Sequence, residues 1–135
     1  MEPVTLVDAE NVRRSTWPNI GKEELVDLVR AWAEATGSPA LVVFDGESPS
    51  TETGLLVKVV SASGESADDR IARDATNLAA TGRAYRLVTS DRGLRARAGS
   101  AADDMVGGGT FVRTLRAVVS DPDAPSPPEA PSPRA

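Results

Sequence analysis

The chain has 135 residues, a hydrophobic content of 40% and a formal net charge of −5, which suffices for one hydrophobic core and hardly for two. It contains neither cysteine nor histidine, which excludes disulfides, thiolate and imidazole metal sites, cysteine nucleophiles and the serine–histidine triad. Any chemistry must therefore rest on carboxylates, hydroxyls, amides and arginine. Carboxylate oxygens favour hard cations such as magnesium or manganese.

The negative charge argues at first against a nucleic-acid partner, but its distribution weakens that argument. Residues 1–120 hold 14 basic and 17 acidic residues, and 13 of the 15 basic residues in the chain are arginine, the side chain suited to bidentate phosphate contact. The sequence shows no targeting segment and no apolar run of membrane-spanning length. We therefore expect a cytoplasmic protein without membrane association.

The first half of the chain predicts strands that alternate with a helix. A short apolar run over residues 4–7 predicts a buried strand that ends at Asp8. A loop with Arg13, Arg14 and Trp17 follows, in which we expect Trp17 to fold over the core rather than to stack on a nucleic-acid base. The next elements are a helix with one apolar face, a strand, a polar loop and a further strand, at residues 21–36, 40–44, 46–53 and 55–60.

The second half continues the alternation. Ser66 is expected to cap a helix that ends at Gly82, and Thr110 to cap the last helix. Between them we expect a strand, a short basic helix and a brief edge strand, at residues 84–89, 93–98 and 105–106. This order predicts a parallel sheet with right-handed crossovers. Six of the last 15 residues are proline, so residues 1–120 are the predicted domain and residues 121–135 a disordered tail.

Aspartates follow the predicted strands. Asp8, Asp45 and Asp91 each end an apolar run, while Asp68 and Asp69 lie in the first turn of the helix after the third strand. In a parallel sheet these positions face one edge, where ligands bind. Like charges gathered there repel one another unless a cation lies among them, and phosphodiester hydrolysis uses such a cation. Asp69 could instead be only a helix N-terminal charge, and Asp45 only a turn residue.

Four segments together resemble the NYN domains of the YacP-like group, relatives of the PIN-domain nucleases. The segments are Leu6-Val7-Asp8-x-x-Asn11, Val42-Val43-Phe44-Asp45-Gly46, Gly64-Glu65-Ser66-Ala67-Asp68-Asp69-Arg70-Ile71 and Val88-Thr89-Ser90-Asp91-Arg92. The resemblance covers about residues 4–118, and it departs from the group in the first motif, which here reads Asp-Ala-Glu-Asn. It implies a three-layer α/β/α sandwich of PIN-like fold around a central parallel sheet of four to five strands.

The resemblance also implies a metal-dependent ribonuclease that cleaves single-stranded RNA in RNA processing or turnover. Asp8, Asp68 and Asp91 would be catalytic and bind Mg²⁺ or Mn²⁺, with Asp45 and Asp69 as further metal ligands. The residues expected to contact the RNA are Asn11, Arg13, Thr89, Ser90, Arg92 and Arg95. The arginines among them could equally be solvated side chains without a role in binding. A homodimer and a protein partner are left open.

Two rival interpretations remain. Receiver and haloacid-phosphatase folds also gather aspartates at strand ends, but they need a lysine near the later strands, and this chain has only Lys22 and Lys58. Glu10 also stands where a haloacid phosphatase has a second aspartate. The other rival is a catalytically weak or inactive module of the NYN fold that binds RNA or a protein.

Overall fold

The computed structural model describes residues 2–49 and 55–120, so the predicted proline-rich tail and part of the predicted polar loop lie outside the described residues. Strands and helices alternate along this part of the chain, as the apolar runs and helical periodicities predict. The elements in chain order are β1 (Val4–Asp8), α1 (Ala9–Arg13), α2 (Lys22–Thr36), β2 (Ala40–Asp45), β3 (Val57–Ala62), α3 (Ala67–Ala80), β4 (Tyr85–Val88), α4 (Arg92–Ala98), β5 (Asp104–Val106) and α5 (Gly108–Ser120).

The strands form one parallel sheet in the order β3-β2-β1-β4-β5. The predicted three-layer α/β/α architecture with a central parallel sheet is confirmed. β1 lies in the middle, where Val7 pairs with Val42 of β2 and with Val88 of β4. The carboxyl ends of β2, β1 and β4 therefore lie side by side, and Asp8 is at their centre.

Successive residues of the central strands pack on opposite faces of the sheet, as strand geometry requires. Val7 belongs to the apolar core under α1, α2 and α5, whereas its neighbour Leu6 belongs to the core under α3 and α4. On the first face, Trp32 of α2 packs edge-on against Phe111 of α5, with ring centroids 5.3 Å apart. Each such fully buried side chain contributes about 1.5–3 kcal/mol. The two helical layers cover the faces of the sheet and leave its carboxyl edge accessible.

One short helix was not predicted, and two predicted boundaries are wrong by a few residues. α1 begins directly after β1, where a loop was expected, because a five-residue helix is too short to show an apolar repeat. β3 begins at Val57 rather than at residue 55, and Leu55 is fully exposed. α5 begins at Gly108 rather than after Thr110, since the Phe111 N–H closes the first turn on the Gly107 carbonyl.

The prediction that Trp17 folds over the core is also wrong, because its side chain is 89% exposed. Ile20 occupies the buried position of this loop instead, at 1% exposure. The Ile20 N–H donates to the Arg13 carbonyl at 3.1 Å and thereby directs Ile20 inward.

No helix in the ranges 2–49 and 55–120 is both long enough and apolar enough to cross a bilayer.

Candidate active site at the carboxyl edge of the sheet

Asp8 ends the central strand and is buried, with 6% of its surface exposed. Val7 pairs with Val88 across β1 and β4, so the next residues in register, Asp8 and Thr89, are neighbours. The Thr89 hydroxyl donates to Asp8 Oδ2 at 2.9 Å and accepts the Asp91 N–H at 3.1 Å. Thr89, predicted as an RNA contact, thus connects the two strand-end aspartates through its hydroxyl.

The environment of Asp8 opposes its ionisation. The pKa of Asp8 is raised from 3.8 to about 6, mainly by burial and in smaller part by the charges of Asp68 and Asp91. The hydrogen bond from Thr89 and the backbone N–H of Asn11 act in the opposite direction. A carboxylate kept in this environment destabilises the native state unless a positive partner compensates.

Asp68 and Asp91 come from separate elements and lie within electrostatic reach of Asp8. Asp68 is in the first turn of α3, where burial raises its pKa, followed by repulsion from Asp91, while Arg97 lowers it. Asp91 caps α4, because its Oδ1 accepts the Leu94 N–H at 2.9 Å. The structure therefore brings the three predicted catalytic carboxylates to one edge of the sheet.

The two further predicted metal ligands lie on the exposed rim. Asp45 ends β2, and its charge also raises the pKa of Asp68. Asp69 pairs with Arg97 at 3.0 Å, and this hydrogen bond lowers the pKa of Asp69. The Asp69 N–H donates to Ser66 Oγ at 3.1 Å, so the predicted Ser66 cap is confirmed. Within residues 2–49 and 55–120, no three carboxylates are already gathered as a ligand set for a metal ion, and the metal roles stay predictions.

A second hydrogen-bond network joins α1, the loop after β4 and the start of α5. Asn11 Oδ1 accepts the Ser90 N–H at 2.8 Å, and Ser90 Oγ accepts the Gly108 N–H at 2.9 Å. A β-carbon on Gly108 would lie 3.1 Å from Asn11 Oδ1 and 3.2 Å from Ser15 Cβ. The sequence predicted only a cap at Thr110 for this helix and not this close approach, although the run of three glycines at 107–109 was an available signal.

The predicted arginines differ in what they contact. Arg13 pairs with Glu10 and donates from Nε to the Ile20 carbonyl at 2.7 Å, so its guanidinium holds the loop after α1. Arg95 donates from Nε to the Thr89 carbonyl at 2.8 Å, beside the carboxylates. Arg92 is exposed at the first position of α4. Arg92 and Arg95 therefore remain the predicted phosphate contacts nearest to Asp91 in the chain.

The parallel sheet and the helical layers on its two faces define a three-layer α/β/α domain. More particularly, the chain has a YacP-like fold. The crystal structure of Rae1 (YacP) from Bacillus subtilis matches it with a TM-score of 0.71 and 20% sequence identity, covering 91% of this chain and 78% of that chain. The W164L mutant of the same protein matches with a TM-score of 0.69 and 22% identity, covering 89% of this chain and 78% of that chain.

Sequence comparison adds no assignment. No family model matches the chain, and no curated protein matches it significantly. At 20–22% identity, the likeness to Rae1 establishes the fold, as the resemblance of the acidic segments predicted. The roles of individual site residues stay predictions.

Proposed function

We propose that the chain is a divalent-metal-dependent endoribonuclease that cleaves single-stranded RNA. The observation that carries this proposal is the buried Asp8 at the sheet edge, beside the charges of Asp68 and Asp91. Placing like charges together destabilises a fold, so a cluster of this kind is characteristic of functional sites. The YacP-like fold supports the proposal, because it agrees with the resemblance of the acidic segments to NYN domains, and that resemblance implies a ribonuclease site.

The donor chemistry of this edge fits a hard divalent cation such as Mg²⁺ or Mn²⁺. The chain has no histidine or cysteine, and carboxylate oxygens are the ligands that these cations prefer. Asp8, Asp68 and Asp91 would hold the ion, with Asp45 and Asp69 as outer candidates. When bound, a divalent cation stabilises the charge of the reacting phosphate and lowers the pKa of water.

Residues around the carboxylates would orient Asp8 and contact the phosphates of the RNA. The Thr89 hydroxyl donates to Asp8 Oδ2 and fixes the orientation of that carboxylate. Arg95 is held beside it through the Thr89 carbonyl, and together with Arg92 it would contact the phosphates of the RNA. Asn11 Oδ1 accepts the Ser90 N–H and thereby fixes the backbone next to Asp91.

A second candidate is a catalytically weak or inactive module of the same fold that binds RNA or a protein. Two observations favour it. Asp91 Oδ1 already serves as the cap of α4, and Asp69 is paired with Arg97. Carboxylates engaged in this way have structural roles that need no cation.

Incubation of the purified chain with unstructured RNA separates the two candidates. We expect internal cleavage in Mn²⁺, none with excess chelator, and none in Asp8→Asn or Asp91→Asn. Asparagine at position 91 retains a capping oxygen, so that variant keeps α4 intact. Asp27→Asn, which changes a carboxylate 78% exposed on α2, is the matched control. If folded wild-type protein leaves the RNA equally intact in Mn²⁺ and in chelator, the proposed ribonuclease activity is contradicted. RNA binding without cleavage favours the second candidate.

A further inference from the structure

Trp17 is a surface feature that the proposed function leaves unexplained. Its side chain is 89% exposed, whereas Trp32, the second of the two tryptophans, is 5% exposed and packs against Phe111. A solvent-exposed indole does not contribute the stabilisation that burial of a large apolar ring would provide. An exposed aromatic ring of this size therefore points to contact with a partner.

The loop that carries Trp17 is held firmly at its base. The Ile20 N–H donates to the Arg13 carbonyl at 3.1 Å, and Arg13 Nε donates to the Ile20 carbonyl at 2.7 Å. Ser15 Oγ donates to the Val12 carbonyl at 2.6 Å. These bonds fix the chain on both sides of Trp17, so the ring is presented outward from a closed loop.

The same loop lies at the carboxyl edge of the sheet, next to the candidate active site. A β-carbon on Gly108 would be 3.2 Å from Ser15 Cβ and 3.1 Å from Asn11 Oδ1, which places the loop against the first turn of α5. Asn11 lies three residues after Asp8, in the short helix α1 from which this loop leaves. Trp17 therefore belongs to the rim of the edge on which Asp8 lies.

Two arginines accompany Trp17 on this rim. Arg14 has a side chain 69% exposed, with Glu10 as an ion-pair partner 3.6 Å away. Arg113 is exposed on α5, and a β-carbon on Gly109 would lie 4.0 Å from both Arg113 Nη1 and the Ser15 carbonyl oxygen. Arg113, which is not among the predicted RNA contacts, therefore lies beside the loop. Aromatic rings next to guanidinium groups are typical of surfaces that bind single-stranded nucleic acid.

We propose that Trp17 is the platform on which an unpaired base of the RNA stacks, while Arg14 and Arg113 contact the adjoining phosphates. This inference rests on the proposed function and deepens it, because it names the recognised part of the substrate as an unstacked base in a single-stranded segment. A base inside a duplex is stacked on both faces and has no face free for Trp17.

The test is RNA binding in excess chelator, which stops metal-dependent cleavage while affinity is measured. We expect Trp17→Ala to weaken binding of an unstructured RNA oligonucleotide by about 5- to 150-fold, the effect of losing one base–aromatic stack. Trp17→Phe keeps an aromatic face and retains most of the affinity. Leu55→Ala removes another exposed apolar side chain, two residues before β3 at the amino-terminal end of the sheet, and is expected to leave affinity unchanged.

Tryptophan fluorescence gives a direct readout of the contact. Acrylamide quenches the exposed Trp17 in the free protein, and bound RNA is expected to protect it. In Trp17→Phe the remaining fluorophore is the buried Trp32, so RNA changes the quenching little. Inorganic polyphosphate, which carries charge without bases, is expected to bind wild type and Trp17→Ala equally.

Equal RNA affinity of wild type and Trp17→Ala overturns the inference, as does equal binding of a duplex and a single strand by the wild-type chain. Cleavage in Mn²⁺ is scored separately. If Trp17→Ala loses affinity but the wild type never cleaves, the inference holds and the proposed enzyme fails. If the wild type cleaves and Trp17→Ala binds as tightly, the enzyme proposal holds and the stacking platform is refuted.

Discussion

Replacing Asp8 with asparagine is expected to stabilise the metal-free protein at pH 8, although it removes a candidate catalytic group. Folding raises the pKa of Asp8 from 3.8 to about 6, mainly through burial. At about 1.4 kcal/mol per pKa unit, this rise corresponds to roughly 3 kcal/mol in favour of the neutral side chain. Asparagine is neutral at every pH and retains an oxygen that can accept the Thr89 hydroxyl.

The sign of the effect depends on pH in a defined way. Because the pKa of Asp8 is higher in the native state than in the unfolded chain, the native state binds this proton more tightly. The stabilisation from the neutral carboxyl is complete below about pH 3.8 and is lost as the pH rises through about 6. The difference between wild type and Asp8→Asn is therefore small near pH 4 and largest above pH 7.

Urea denaturation in chelator at a series of pH values measures this difference. We expect Asp8→Asn to gain up to about 3 kcal/mol in unfolding free energy at pH 8. Asp27→Asn, at an exposed position on α2, should remain within about 0.5 kcal/mol of wild type throughout. If Asp8→Asn is no more stable than wild type at pH 8, the reasoning about a buried, charge-crowded carboxylate is refuted.

Two further substitutions test the networks around the site. Thr89→Val removes the hydroxyl that donates to Asp8 and should raise the pKa of Asp8 by about one to two units more, as read from the carboxyl carbon in an NMR titration. Thr89→Ser, which keeps the hydroxyl, should leave that pKa at about 6. Gly108→Ala would bring a β-carbon within 3.1 Å of Asn11 Oδ1 and should destabilise the fold by about 1–3 kcal/mol in thermal or urea unfolding. Gly109→Ala meets atoms only at 4.0 Å and should be neutral or slightly stabilising; equal destabilisation by both changes would argue against the close approach.

Much of the architecture could be predicted from the sequence because its cause is local. Apolar runs that end on aspartate define the strands, and the alternation of strands with helices requires parallel crossovers. The positions of Asp8, Asp68 and Asp91 at one edge follow from that topology, since parallel strands share a carboxyl edge. The sequence thus predicted on which edge of the sheet these side chains lie, but it could not predict the distances between them.

The rest depends on contacts between residues far apart in the chain. The link from Thr89 to Asp8 exists because β4 pairs with β1, and strand order has no signature in a single sequence. Ile20 rather than Trp17 is buried because of the bonds that Arg13 makes to that loop. The short helix α1 is likewise supported by its surroundings, since five residues are too few to be stable alone.

Binding of Mn²⁺ by the intact chain, followed by the loss of the free-ion signal in electron paramagnetic resonance, tests the central proposal most directly. We expect wild type and Asp27→Asn to bind the ion, and Asp8→Asn and Asp68→Asn to bind it at least about tenfold more weakly. Wild-type protein that binds the ion no better than Asp8→Asn would contradict the proposal that these carboxylates form a cation site.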